Sequence, residues 1–97
     1  MSIGVLFDFP GVTQAQYDNV LRNLNPGGSL KKLSDWPVSG VEFHLAGPTG
    51  SGWRVVDIWE SEAALNAFAQ TLMPILKSAG FPDVKPQVFP AYNMVKA

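Results

Sequence analysis

Large apolar side chains recur at Ile3, Val5, Phe7 and Phe9, a period of two that predicts a strand over residues 3–9. Pro10 and Gly11 end it. The period then becomes that of a helix, with Tyr17, Val20, Leu21 and Leu24 on one buried stripe. Thr13 and Gln16 make a capping box for this helix, and Val12 can pack on Tyr17 as a hydrophobic staple. Asn25, Pro26, Gly27 and Gly28 stop it. The stretch through Lys31, Lys32, Asp35 and Pro37 reads as a surface connection that Trp36 tethers to the core.

Residues 40–46 and 53–60 are two further strands around GPTGSG, whose glycines and proline supply the dihedrals of a reversal; together they predict a β-hairpin. Gly47, Gly50 and Gly52 do not form a nucleotide loop, because a phosphate-cradling turn must open a helix and this one opens a strand. Ser61 caps a second helix, Glu62 stands in its first turn where the dipole favours negative charge, and Gly80 follows its end. Its stripe is Leu65, Phe68, Leu72, Ile75, Leu76 and Ala79. Pro74 offers no N–H to the carbonyl of Gln70, which predicts a kink or a break into two shorter helices. The last strand falls within residues 86–95, where Pro86 and Pro90 indicate an edge position or a bulge.

This order defines an α+β, ferredoxin-like β-α-β-β-α-β fold, a four-stranded antiparallel sheet with two helices on one face. Strand 53–60 carries Val55 and Trp59 on one side and Val56 and Ile58 on the other. A sheet with one wet face does not read that way. If about six large apolar side chains lie on the face away from the helices, covering them contributes roughly 9–18 kcal/mol before association costs. A homodimer with two sheets face to face is therefore expected.

Composition agrees with this reading. A chain of 97 residues, 46% hydrophobic and 15% charged, fits one domain over residues 1–97. A formal charge of −1 with scattered Lys and Arg gives no footprint for nucleic acid. No stretch approaches the roughly 18 apolar residues of a membrane span. The segment MSIGVLFDFPG has no basic residues before its apolar run and no small-residue cleavage pattern, so no signal peptide is expected. Without cysteine there are neither disulfides nor thiolate metal ligands, and a cytoplasmic location is expected.

The segment Trp53-Arg54-Val55-Val56-Asp57-Ile58-Trp59-Glu60-Ser61-Glu62-Ala63-Ala64, a strand ending in Trp-Glu-Ser-Glu that runs straight into a helix, resembles the dimeric α+β barrel superfamily. More closely, it is similar to the small antibiotic-biosynthesis-monooxygenase-like proteins. The resemblance implies the fold and a dimer. Its members range from cofactor-independent oxygenases to haem-degrading enzymes, isomerases and proteins of unassigned activity, so fold alone does not choose a reaction. Haem-degrading members use a tryptophan on this strand, matched by Trp59, with a histidine on the second helix and an asparagine on the first strand. This sequence has neither of the latter, which disfavours haem degradation.

His44, the one histidine, lies between Phe43 and Leu45, so its ring points to the face opposite them, and a neutral imidazole there can act as a base. Asp57 is the carboxylate expected near it across the hairpin, although a one-residue slip of register separates them; alone it reads as a polar residue at a dimer rim or pocket mouth. Trp59 is either the wall of an aromatic pocket or core filling beneath the second helix. Tyr92 and Asn93 can hydrogen-bond a bound phenol or carbonyl, or stand at a sheet edge or dimer contact. Phe68 and Leu72 are core residues whose faces a pocket would share. One histidine and scattered carboxylates assemble no metal site, and no cofactor is expected. The chemistry within reach is proton transfer to or from a small hydrophobic or aromatic, polyketide-like molecule, as in a cofactor-independent monooxygenase or an isomerase. The alternative is a non-catalytic metabolite-binding or structural dimerisation module.

Overall fold

Alternating side chains along the first segment build strand β1, Ile3–Pro10, in the computed structural model, which describes residues 1–25 and 30–95. Helix α1, Gln14–Leu24, follows, with strands β2, Val41–Pro48, and β3, Gly52–Trp59, helix α2, Glu62–Ser78, and strand β4, Gln87–Pro90. Pro26, Gly27 and Gly28, expected among the stop signals of α1, lie outside the described residues. The strands form one antiparallel sheet in the order β2-β3-β1-β4, so the fold is ferredoxin-like.

Both helices begin as their capping residues require. The Thr13 backbone N–H donates to Gln16 Oε1 at 3.0 Å, and the Gln16 N–H donates to Thr13 Oγ1 at 3.3 Å, the reciprocal pair of a capping box. Gln16 also reaches sideways, its Nε2 donating to the Ala79 carbonyl at 3.2 Å beyond the end of α2. Ser61 Oγ accepts from the Ala64 N–H at 3.1 Å. At the other end of α2, Gly80 takes φ +80°, its N–H bonding the Lys77 carbonyl and that of Phe81 bonding the Leu76 carbonyl. This is a Schellman motif, and it turns Phe81 back toward Leu76.

The expected break at Pro74 does not occur: α2 is one helix through that residue. Gln70 and Pro74 both lie on its exposed side, so water can reach the carbonyl left without a donor. Strand β4 is short and exposed at every residue, in keeping with an edge strand bounded by Pro86 and Pro90.

On the helix side of the sheet, Val5, Phe7 and Phe9 from β1 meet Trp53, Val55 and Trp59 from β3, with Val20, Leu24, Phe68 and Leu76 from the helices above them. Trp36 packs its ring on Trp59 and Phe68, at centroid distances of 6.3 and 5.4 Å, and so ties the α1–β2 connection to the core. On the other side, Leu6, Phe43, Leu45, Val56, Ile58 and Phe89 face away from the helices. Phe43, Leu45 and Phe89 are 43%, 56% and 50% exposed there. The Phe89 ring lies against Gly4, where any Cβ would meet it at 2.5 Å. Asp8 and Arg54 interrupt this face with a bidentate pair at 2.7 and 3.1 Å, and the guanidinium holds the Asp8 carboxyl below the usual carboxylate range.

Candidate functional site

Register decides whether His44 and Asp57 meet. Thr49 N–H bonds the Gly52 carbonyl at 2.9 Å, closing the hairpin, and from there the pairs run Pro48 with Trp53, Ala46 with Val55 and His44 with Asp57. Toward the far end Glu42 is an extra residue, a bulge between the pairs Phe43–Ile58 and Val41–Trp59. The bulge lies beyond His44, so it leaves the His44–Asp57 pair in place while returning Val41 to the buried face.

Cross-strand neighbours on the helix-covered side, the two residues bond directly: His44 Nδ1 lies 2.6 Å from Asp57 Oδ1. Asp57 is 4% exposed, which corrects its expected place at a rim or pocket mouth. It sits under the helices because it belongs to the same alternating set as Val55 and Trp59. A buried carboxylate requires partners, and its second oxygen accepts from Trp59 Nε1 at 3.4 Å. On the opposite edge of the imidazole, the Tyr17 hydroxyl lies 2.5 Å from His44 Nε2.

The network selects the imidazole tautomer. An ionised Asp57 can only accept, so Nδ1 of His44 donates to it; Nε2 is then the acceptor and the Tyr17 hydroxyl the donor. Burial, then the negative charges of Asp57 and Asp18, push the Tyr17 phenol up to about 12 from 10.0, so it remains a neutral donor through the physiological range. The Trp36 ring meets the imidazole edge-on at 4.9 Å, and Tyr17 packs on Trp53 at 5.1 Å, holding both ends of the polar chain between aromatic surfaces.

Tyr17, His44 and Asp57 line one side of a cavity of about 40 Å³ enclosed mainly by apolar side chains, among them Phe7, Trp36, Val55, Phe68, Leu72 and Phe81. That volume holds no more than a few waters. The Tyr17–His44–Asp57 chain is the polar part of this lining, and the other lining side chains are apolar.

Four of the residues singled out from sequence therefore share one place: His44, Asp57, Phe68 and Leu72. Trp59 has no exposed surface and lies outside the cavity wall; it supports the site from behind, through its bond to Asp57 and its packing on Phe68 at 5.1 Å. Tyr92 is 100% exposed and Asn93 is exposed, both in the segment after β4, and the structure does not bring them to the cavity. Sequence reasoning placed Tyr17 in the apolar stripe of α1 and in its staple with Val12, although a hydroxyl-tipped residue in such a stripe already signals a buried polar partner. It did not single out Phe81.

Among the described residues, no three His, Asp or Glu side chains gather as a metal would need, and no helix is long and apolar enough to cross a membrane. The chain matches no family model and no curated protein.

Proposed function

We propose that this chain is a cofactor-independent enzyme of the dimeric α+β barrel class, a monooxygenase or isomerase that ionises a small aromatic or polyketide-like molecule. One observation carries the reading: a Tyr17–His44–Asp57 hydrogen-bond chain at the wall of an otherwise apolar cavity. A substrate hydroxyl or activated C–H placed between Tyr17 and His44 gives its proton to His44 Nε2, and Asp57 stabilises the imidazolium that forms. The neutral Tyr17 hydroxyl, freed from His44, donates to the oxyanion left on the substrate. Reprotonation at another carbon completes an isomerisation. In an oxygenation, the anion of an activated methylene supplies the electrons; one O2 is consumed, CH2 becomes C=O, and the second oxygen leaves as water.

The open sheet face supports the same class. With Phe43, Leu45 and Phe89 already about half covered, a second copy seated on this face removes the remaining exposed area at roughly 25 cal/mol per Å². We place the homodimer there, sheet against sheet, with the Asp8–Arg54 pairs toward its margin.

Oxygen uptake and product formation with a panel of phenolic and 1,3-dicarbonyl compounds test the reading. Turnover that falls at least about 100-fold in His44→Ala supports it, the loss typical for a general base; equal rates in both proteins remove His44 from the mechanism and the proposal with it. A second reading, a binding module without chemistry, draws on the fact that both ring nitrogens of His44 are already bonded within the protein. Compounds that raise the melting temperature yet are recovered unchanged decide for it.

A further inference from the structure

The cavity that holds the polar chain is too small for the molecule that chain would act on. Ligand sites ordinarily enclose about 300–1,000 Å³, whereas this one has about 40 Å³. Beside it lies a groove of about 690 Å³ between the end of α2 and the segment leading to β4. Phe9, Leu76 and Phe81 line both spaces. The partition is therefore built from side chains, with Phe9 and Phe81 meeting edge to face at 5.0 Å. Side chains of this kind can change rotamer far more readily than a strand or helix can move.

The remaining walls describe the occupant. Met73, Pro74, Pro82 and Val84 are apolar, and Met73 is an adaptable surface that accepts varied ring shapes. Lys77 and Asp83 are the charged residues lining the groove, one of each sign, and among the described residues neither is part of an ion pair. Lys77 also faces the negative end of the α2 dipole. The groove thus has no net attraction for an anion.

We infer that this groove is an outer binding subsite for the uncharged aromatic or polycyclic body of an extended ligand, whose reacting end passes Phe81 to reach His44. The inference rests on the proposed reading of the cavity as the reacting site, but its own binding step is measured separately. A ligand so divided leaves its bulk outside the core, and only a hydroxyl-bearing edge has to fit beside Tyr17.

Two fluorescent probes that differ by a sulfonate test it: neutral N-phenyl-1-naphthylamine and anionic 1-anilinonaphthalene-8-sulfonate. The neutral probe is expected to bind saturably and at least about tenfold more tightly than the anionic one, a difference of about 1.4 kcal/mol. Val84→Trp, which fills the groove, is expected to weaken it about tenfold or more, and Asn66→Ala, at an exposed position of α2 outside the groove, to leave it unchanged. Met73→Trp fills the groove from the exposed opposite wall and gives the same result if Val84→Trp does not fold. Unchanged affinity in the filled variants, or loss of binding in Asn66→Ala, overturns the subsite; tighter binding of the sulfonate overturns the uncharged class. Equal turnover by His44→Ala and wild type sinks the reaction while leaving groove binding intact. His44-dependent turnover of compact phenols without groove binding sinks the subsite alone.

Discussion

Asp57 accepts on both sides, from His44 Nδ1 and from Trp59 Nε1, and its removal leaves two buried donors without an acceptor. Since each such group costs about 1–3 kcal/mol, Asp57→Ala should lose about 3 kcal/mol of stability, read as a lower denaturation midpoint at unchanged slope. Tyr17 titrates far above neutral pH. Its phenol is held at about 12 in the folded chain against 10.0 ordinarily, so the unfolded state releases its proton first. The contribution of Tyr17 to stability is whole below pH 10 and is lost as pH rises toward 12. Tyr17→Phe should flatten that decline, and the wild-type minus variant ultraviolet difference should show a phenol titrating near 12. His44 and Asp57 were legible in the sequence as polar residues of the two hairpin strands, each turned away from its immediate apolar neighbours, because alternation assigns faces within a strand. Their contact was not, because it depends on where the hairpin closes, and Tyr17 reaches them only through the docking of a helix, which no local period encodes.

Helix α2 shows how an element's end can shape a site. Gly80 adopts φ +80°, and the bonds it permits aim Phe81 at the partition between cavity and groove. A side chain at that dihedral costs about 1–2 kcal/mol. Gly80→Ala is accordingly expected to lower stability by about 1 kcal/mol and to displace Phe81, seen as altered aromatic-region chemical shifts for Phe9 and Phe81 in NMR spectra. Strands, helices and both N-caps were legible because period and capping chemistry are local: Thr13, Gln16 and Ser61 act as their types require. Of the kink or break expected at Pro74, the break does not occur, for the complementary reason. Its cost depends on whether Gln70 faces water, a property of the packed helix rather than of the dipeptide.

At the scale of the molecule, the sheet is apolar on both sides, and two helices cover only one. A homodimer built on the open face should give twice the chain mass by light scattering at micromolar concentration, and Leu45→Glu should give the monomer mass, since an unpaired carboxylate buried in that contact is strongly disfavoured. A monomer mass for the wild-type protein at that concentration contradicts the pairing. The ferredoxin-like order was legible as a whole because each element announces itself locally, whereas the division of space into cavity and groove arises only once α1 and α2 lie side by side. That adjacency is fastened at Gln16, whose amide closes the first turn of one helix with its oxygen and grips the terminus of the other with its nitrogen. Fraying at either place slackens the same knot, so these remote ends should open and exchange their amide protons together, as one cooperative unit, with the roof of the site loosening as they do.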